Sequence, residues 1–482
     1  MLGLFGALLS LGLLIWLAYR GWNVIALSVG CALVAALFAS APLLAIYTQV
    51  FMPATGAFIV DYFPLFLLGA IFGRLMDETG SAEALAAGVV RAFGAKRAII
   101  AIVAACALLT YGGVSLFVVA FALYPVATAL FRRANIPKRL IPAAIALGAF
   151  TFTMTALPGT PAIQNAIPMP YFGTTPFAAP GLGVIAAIIM AGFGLTWLTV
   201  RARQAAARGE GYGEELTDLT LGADPRIMAQ GEGYDLAEMA REKDQGAPDQ
   251  PGFWLALAPI VLVIALNYLF SVEVLPRMDT TYLADPAYGG TRIEAVRGIW
   301  AIIIALGAAI GLLLATNRSR LEKPITSLGA GANASVLPIF NTASLVGFGA
   351  VVASLPAFML VQSLIEHVDG GPLVSLAIST NVLAGLTGSA SGGMRIALDA
   401  LGETYLAAAL AEGIDPAALH RITSIATGGL DALPHNGAVI TLLSICGLTH
   451  RQSYGDIFMV ACAGPLIALC VVLIAAGLFG TF

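Results

Sequence analysis

Long apolar runs separated by short charged breaks dominate the chain, and they read as spans near 2–19, 23–40, 54–73, 140–157, 181–200, 254–271, 298–316, 336–365, 420–448 and 456–480. About 20 apolar residues cross a bilayer as a helix, because only a helix satisfies its own backbone within hydrocarbon. Two stretches depart from this pattern. Residues 98–131 and 373–410 are each too long for one span, and each carries a glycine pair about midway, Gly112-Gly113 and Gly392-Gly393. Both are expected to be re-entrant helical hairpins that leave the membrane on the side they entered.

After each hairpin the chain nearly repeats itself. Ala156-Leu157-Pro158-Gly159-Thr160 returns as Ala432-Leu433-Pro434-His435-Asn436, at almost the same distance beyond the glycine pair. Proline and glycine inside an apolar run interrupt a helix. Interrupted spans at matching places in two halves are the sequence mark of a secondary transporter whose binding site lies at the breaks. The expected fold is an all-α polytopic membrane protein of two inverted repeats, each with a re-entrant hairpin and a broken transmembrane helix. Residues 1–200 form the first repeat, with helices over 1–74, the hairpin and a broken helix near 140–168. Residues 253–482 form the second, with helices over 254–365, the hairpin and a broken helix near 420–448.

The distribution of Lys and Arg supports the hairpins, since basic residues favour cytoplasmic loops. In this layout 19 of the 24 basic residues fall on the cytoplasmic side, Arg277, Arg292, Arg297 and Arg421 on the other, and Arg395 within the second hairpin. Reading either hairpin as a plain span inverts every later loop and destroys the segregation. Both termini are then periplasmic or extracellular, in a cell (inner) membrane. The polar stretch 201–252, with the fragment Gly-Glu-Gly-Tyr at Gly209 and Gly231, reads as a cytoplasmic linker. Ser81 to Phe93 reads as a short interfacial helix.

Composition agrees: 59% hydrophobic residues, 11% charged and a mean hydropathy of +0.89 place most of the chain in lipid. A net charge of −4 offers no basic surface for phosphates, so nucleic acid is not an expected partner. The five cysteines all lie in apolar runs, with no disulfide or metal spacing, and no cofactor is expected. The first basic residue, Arg20, follows the first apolar run, which argues for a retained span rather than a cleaved signal.

An interrupted helix leaves free N–H groups at one half-end and free C=O groups at the other, suited to anions and cations respectively. Around the first break the candidate binding groups are Thr155, Thr160, Gln164 and Asn165, facing Gly112, Gly113 and Ser115 at the hairpin tip. Around the second they are His435 and Asn436, facing Thr387, Ser389, Ser391, Gly392 and Gly393. The competing reading is packing glycines and kinking prolines. Arg395, costly in a membrane, could bind a substrate carboxylate, or Asp399 four residues on could simply neutralise it; the two are compatible. Asp431 and His435, with Asp399, are candidates for ion coupling, and sodium competes with the proton as the coupling ion. Asp61 reads as a residue of the outer interface, and His367, His420 and His450 as solvated loop-edge residues.

The runs Tyr111-Gly-Gly-Val-Ser-Leu-Phe-Val-Val119, Thr155-Ala-Leu-Pro-Gly-Thr-Pro-Ala-Ile-Gln-Asn165, Thr387-Gly-Ser-Ala-Ser-Gly-Gly393 and Gly429-Leu-Asp-Ala-Leu-Pro-His-Asn-Gly437 together resemble the gluconate:proton symporter family of the ion transporter superfamily. The resemblance covers nearly the whole chain outside the linker. It implies a homodimer with a scaffold domain and a mobile transport domain, carrying a hydroxy-carboxylate with protons by an elevator-like motion. The second break looks more like the D-β-hydroxybutyrate permease branch than the sugar-acid branch, because only His435 and Asn436 partly match the run expected of the latter. Three other classes fit the sequence less well. An ATP-driven pump lacks a phosphate loop, since none of the four lysines follows a glycine. An intramembrane serine hydrolase would use Ser389 or Ser391 with His435 as base, but the first repeat has glycine in place of that histidine. A passive channel would ignore ion gradients.

Overall fold

The computed structural model describes residues 2–20, 22–94, 97–213, 250–356, 370–434 and 436–482. The regular elements of the described residues are all helices, with no strand among them. In chain order the helices are α1 (Leu2–Tyr19), α2 (Val24–Phe38), α3 (Leu43–Glu78), α4 (Ser81–Phe93), α5 (Ala98–Tyr111), α6 (Leu116–Arg133), α7 (Ile141–Ala149) and α8 (Phe152–Thr155). They continue with α9 (Ile163–Ala166), α10 (Pro168–Phe172), α11 (Pro180–Ala207), α12 (Phe253–Arg277), α13 (Ile293–Thr316) and α14 (Pro324–Ser354). The last are α15 (Gly371–Thr387), α16 (Ala390–Ala411), α17 (Pro416–Thr427), α18 (Gly437–Ile445) and α19 (His450–Phe479). Six of them, α3, α11, α12, α13, α14 and α19, are long and apolar enough to cross a membrane.

The observed limits follow the apolar pattern, with one clear extension. The third span starts at Leu43, because a π-helical turn over Tyr47–Phe51 carries the helix through Pro53. Asp61 therefore lies well inside α3. α3 packs along α14, and small residues let the backbones approach: a Cβ on Gly331 would sit 2.7 Å from Ile71 Cα, and one on Gly347 3.0 Å from the Phe51 carbonyl. The second half of residues 336–365 falls partly outside the described residues, as does most of the linker.

Residues 98–131 and 373–410 both form two antiparallel helices joined by a tight turn, α5 with α6 and α15 with α16. Gly113 turns the first at φ +94, a conformation L side chains rarely adopt. Gly393 lets the arms of the second touch, since a Cβ there would lie 2.3 Å from Ala384 Cα. The two broken spans are also visible. Between α8 and α9, Pro158, Gly159 (φ +81) and Pro161 leave residues 156–162 unwound. Between α17 and α18, the described residues 428–434 and 436 are unwound, and Asn436 caps α18 by accepting from the Val439 amide at 3.1 Å.

Candidate substrate site

Each hairpin tip is tied to the unwound segment of its own half. Tyr111, the last residue of α5, donates its hydroxyl proton to the Pro158 carbonyl at 2.7 Å. In the other half the Asn436 amide donates to the Gly388 carbonyl at 2.9 Å. The second unwound segment also meets the end of α8, because a Cβ on Gly428 would sit 3.4 Å from Thr155 Oγ1. Helix ends that would be orphaned in lipid are thus satisfied by partners of the opposite element.

Between these elements, α3 and α14 lies a cavity of about 440 Å³. Both tips reach it, through Gly113 and Ser115 on one side and Ser389 and Ser391 on the other. Both breaks reach it, through Gln164 on one side and Asp431 and Asn436 on the other. α14 adds Ser335, Asn341 and Thr342, which were not among the sequence candidates. The remaining wall is mainly apolar, including Leu65, Phe66, Phe150, Met154 and Leu345. Among the described lining residues Arg20 is the one cation and Asp431 the one acid. Among the described residues, the Thr110 hydroxyl and Gln164 Oε1 at this wall have no protein partner.

The other sequence candidates lie elsewhere. Gly112 packs against Ile260 and Gly392 against Leu345 and Ser389. Thr155 is buried and donates back to the Thr151 carbonyl at 3.2 Å. Thr160 and Asn165 are fully buried behind the wall, where the Asn165 amide donates to the carbonyls of Thr160 (3.0 Å) and Pro176 (2.9 Å). Thr387 and Ser389 do line the cavity, and Ser389 also caps α16, accepting from the Gly392 amide at 3.2 Å. His435 and His367 lie outside the described residues.

Arg395 is not part of the cavity wall. Its Nε donates to both oxygens of Asp399 at 2.9 Å, and its Nη1 donates to Asp61 Oδ2 at 2.9 Å. The rings of Tyr62 and Tyr171 flank the guanidinium at 5.7 and 5.3 Å, and the Tyr171 hydroxyl bonds Asp399. Two acids therefore hold one arginine. Asp399 neutralises it as one reading of the sequence allowed, while Asp61 joins it from α3.

Two loop-edge expectations are overturned. His420 is completely buried, with Nδ1 2.6 Å from Thr174 Oγ1 and Nε2 3.1 Å from Asn165 Oδ1. Arg421, assigned above to an outer loop, is also completely buried in α17. It donates to the carbonyls of Ala156 (3.2 Å), Pro176 (3.2 Å) and Ala178 (3.0 and 2.8 Å) and to Asn165 Oδ1 (3.2 Å). A basic residue next to an apolar run reads as a boundary, and nothing in the local pattern shows the carbonyls that receive it. His450 is half-buried and bonds the Pro434 carbonyl at 2.9 Å.

A family model described as GntP family permease matches residues 3–215. An uncharacterized transporter of Bacillus subtilis (strain 168), YxjC, is 46% identical over 462 residues, covering 94% of each chain. The chain belongs to the GntP permease family. It is therefore a multi-pass membrane transporter of a small molecule and not an enzyme, so the serine-hydrolase alternative is set aside. Among solved structures, MtrF of Neisseria gonorrhoeae, described with a class of antimetabolite efflux pumps, superposes with a TM-score of 0.52. That likeness covers 89% of this chain and 83% of the other at 14% identity, and at this identity it concerns the fold alone.

Proposed function

We propose that this permease is a secondary active transporter that imports a small hydroxy-carboxylate of the 3-hydroxybutyrate kind, coupled to protons, by an elevator-type movement. The observation that carries the proposal is the shared cavity, to which both hairpin tips and both breaks contribute. At about 440 Å³ it lies within the size range of small-molecule sites. Its mainly apolar wall favours a short acid with an apolar body over a polyol, since each buried hydroxyl without a partner costs about 1–3 kcal/mol. The serines and threonines at the wall serve one or two hydroxyls. Asp431 is the candidate proton carrier, with His435 beside it in sequence. Differential binding to outward and inward states, driven by the ion gradient, completes the cycle.

The inverted architecture has support in contacts that join distant loops. Arg139 meets Asp456 at 2.9 Å, and these residues fall on one face only if the second hairpin returns to its side of entry. Phe253 lies over Gly88, 2.1 Å from where a Cβ would stand, and these fall on one face only if the first hairpin does so. On this reading helices within 1–74 and 254–365 form the scaffold, the hairpins and broken helices form the moving unit, and the permease works as an inner-membrane homodimer.

The test is uptake into proteoliposomes of labelled 3-hydroxybutyrate and gluconate, with pH and sodium gradients imposed separately. Accumulation of 3-hydroxybutyrate driven by the pH gradient alone is expected. Preference for gluconate, dependence on sodium, or entry indifferent to either gradient refutes the corresponding part.

A further inference from the structure

Arg421 poses a physical problem that the transport scheme leaves unanswered. A fully buried arginine is normally paired with an acid, because an isolated charge in a low-dielectric interior is expensive. Among the described residues every hydrogen-bond partner is a neutral carbonyl or amide oxygen, and no carboxylate is among them. Dipoles satisfy its donors but leave its net charge uncancelled. His420 adds no negative charge. Asn165 commits its amide nitrogen to two carbonyls, so its oxygen faces the ring and His420 Nε2 must donate to it, while Nδ1 accepts from Thr174.

The position of this charge is informative. Two of its acceptors, the Ala156 carbonyl and Asn165 Oδ1, belong to the first broken helix. Between them in sequence, Pro161, Ala162, Ile163 and Gln164 form cavity wall. Arg421 thus stands one layer of chain behind the site, where water is excluded and a charge acts with little screening. The room for it is built in as well: a Cβ on Gly183 would lie 2.4 Å from the Ala156 carbonyl and 3.2 Å from Arg421 Nε. Among the described residues, the buried Thr110 hydroxyl and Gln164 Oε1 lack protein partners at the same cavity wall.

We infer that Arg421 is a specificity-determining cation that selects anions in the cavity from behind its wall, without touching them. The inference deepens the carboxylate reading and rests on it. Arg20, exposed and stacked 4.2 Å over Trp16, also lines the cavity but is screened by salt, whereas the buried charge is not.

The test compares binding and uptake of 3-hydroxybutyrate with its neutral amide, 3-hydroxybutyramide, by the reconstituted full chain. In the unaltered protein the preference for the acid is expected to persist from low to molar salt. Arg421→Lys, which keeps the charge, should keep that preference. Arg421→Gln should weaken the acid on the order of tenfold and leave the amide unchanged. Equal weakening of acid and amide overturns the inference, as does equal behaviour of the Lys and Gln variants. If Arg421→Gln does not fold, the salt series decides: a preference that collapses in high salt assigns selection to Arg20 and overturns it. Failure of the unaltered chain to bind any carboxylate overturns the substrate class itself, a distinct result.

Discussion

Arg395 Nη1 donates to Asp61 Oδ2 at 2.9 Å, and this bond ties the second arm of the second hairpin to α3. The arginine side chain is 11% exposed, while Asp61 and Asp399 are 42% and 37% exposed. If α3 is scaffold and α16 moves, the Asp61 bond must break in each transit, whereas the Asp399 bond lies within one helix and travels with it. A pair this accessible is worth about 0.2–1 kcal/mol, enough to shift a conformational equilibrium up to about fivefold. Asp61→Asn is therefore expected to change the uptake rate by up to about that factor and leave substrate affinity within about twofold. Calorimetric binding alongside initial-rate uptake separates the two; a large change in affinity places Arg395 back at the substrate.

Asn436 performs two tasks that substitution can separate. Its oxygen caps α18 and its nitrogen holds the Gly388 carbonyl at the opposite tip. Asn436→Ser keeps a capping oxygen but cannot reach Gly388, so it should lose uptake and melt lower only by the cost of that one bond. Asn436→Ala should also lose the cap, a cost of about 0.5–2 kcal/mol, and melt lower. Equal melting temperatures in the two variants would show that the cap contributes nothing.

The helix limits were legible because Pro, Gly and charged residues punctuate uniformly apolar runs, and Pro158-Gly159 and Pro434 locate the unwound segments by backbone chemistry alone. The span expected near 54–73 begins earlier, at Leu43, since a π-helical turn over Tyr47–Phe51 continues the helix across Pro53. The cavity was half legible: tip and break residues could be named from the duplication, but Ser335 and Thr342 of α14 look like any span residues. Arg421 and His420 were illegible because their partners, Asn165, Thr174, Pro176 and Ala178, lie in the other half of the chain. Local pattern reports where a charge sits in sequence and nothing about distant carbonyls that fold around it.

Glycines at close approaches give a sharp contrast with glycines in open space. Gly393→Ala would drive a methyl to 2.3 Å from Ala384 backbone, between arms that cannot both retreat. Overpacking of this kind costs about 1–3 kcal/mol or more. Gly30→Ala, with nothing within 4 Å, should be neutral or slightly stabilising. Monodispersity and thermal melting of the purified variants check both; a normal Gly393→Ala protein would mean that the tip is looser than it stands here.

Asp456 gathers three donors at the end of the molecule where α11 runs into the linker: Arg139 at 2.9 Å, Arg201 at 2.8 Å and the Trp197 indole at 3.0 Å. It is 4% exposed, so removing its charge leaves two arginines without their shared partner, and Asp456→Asn is expected to cost on the order of 3–5 kcal/mol. Arg139 also holds Glu210 through two bonds, at 2.7 and 3.1 Å. The hydrogen bond from Arg139 lowers the Glu210 pKa below the usual carboxylate value. A lowered folded-state pKa stabilises above the unfolded value of about 4.3 and is lost as pH falls through the folded one. Glu210 is 40% exposed, so the clamp is worth at most about 1 kcal/mol after screening. Glu210→Gln should therefore melt slightly below the unaltered chain at pH 7, and the gap should close as pH falls below about 4. Melting curves across pH 3–8 test this, and a gap that widens in acid contradicts it.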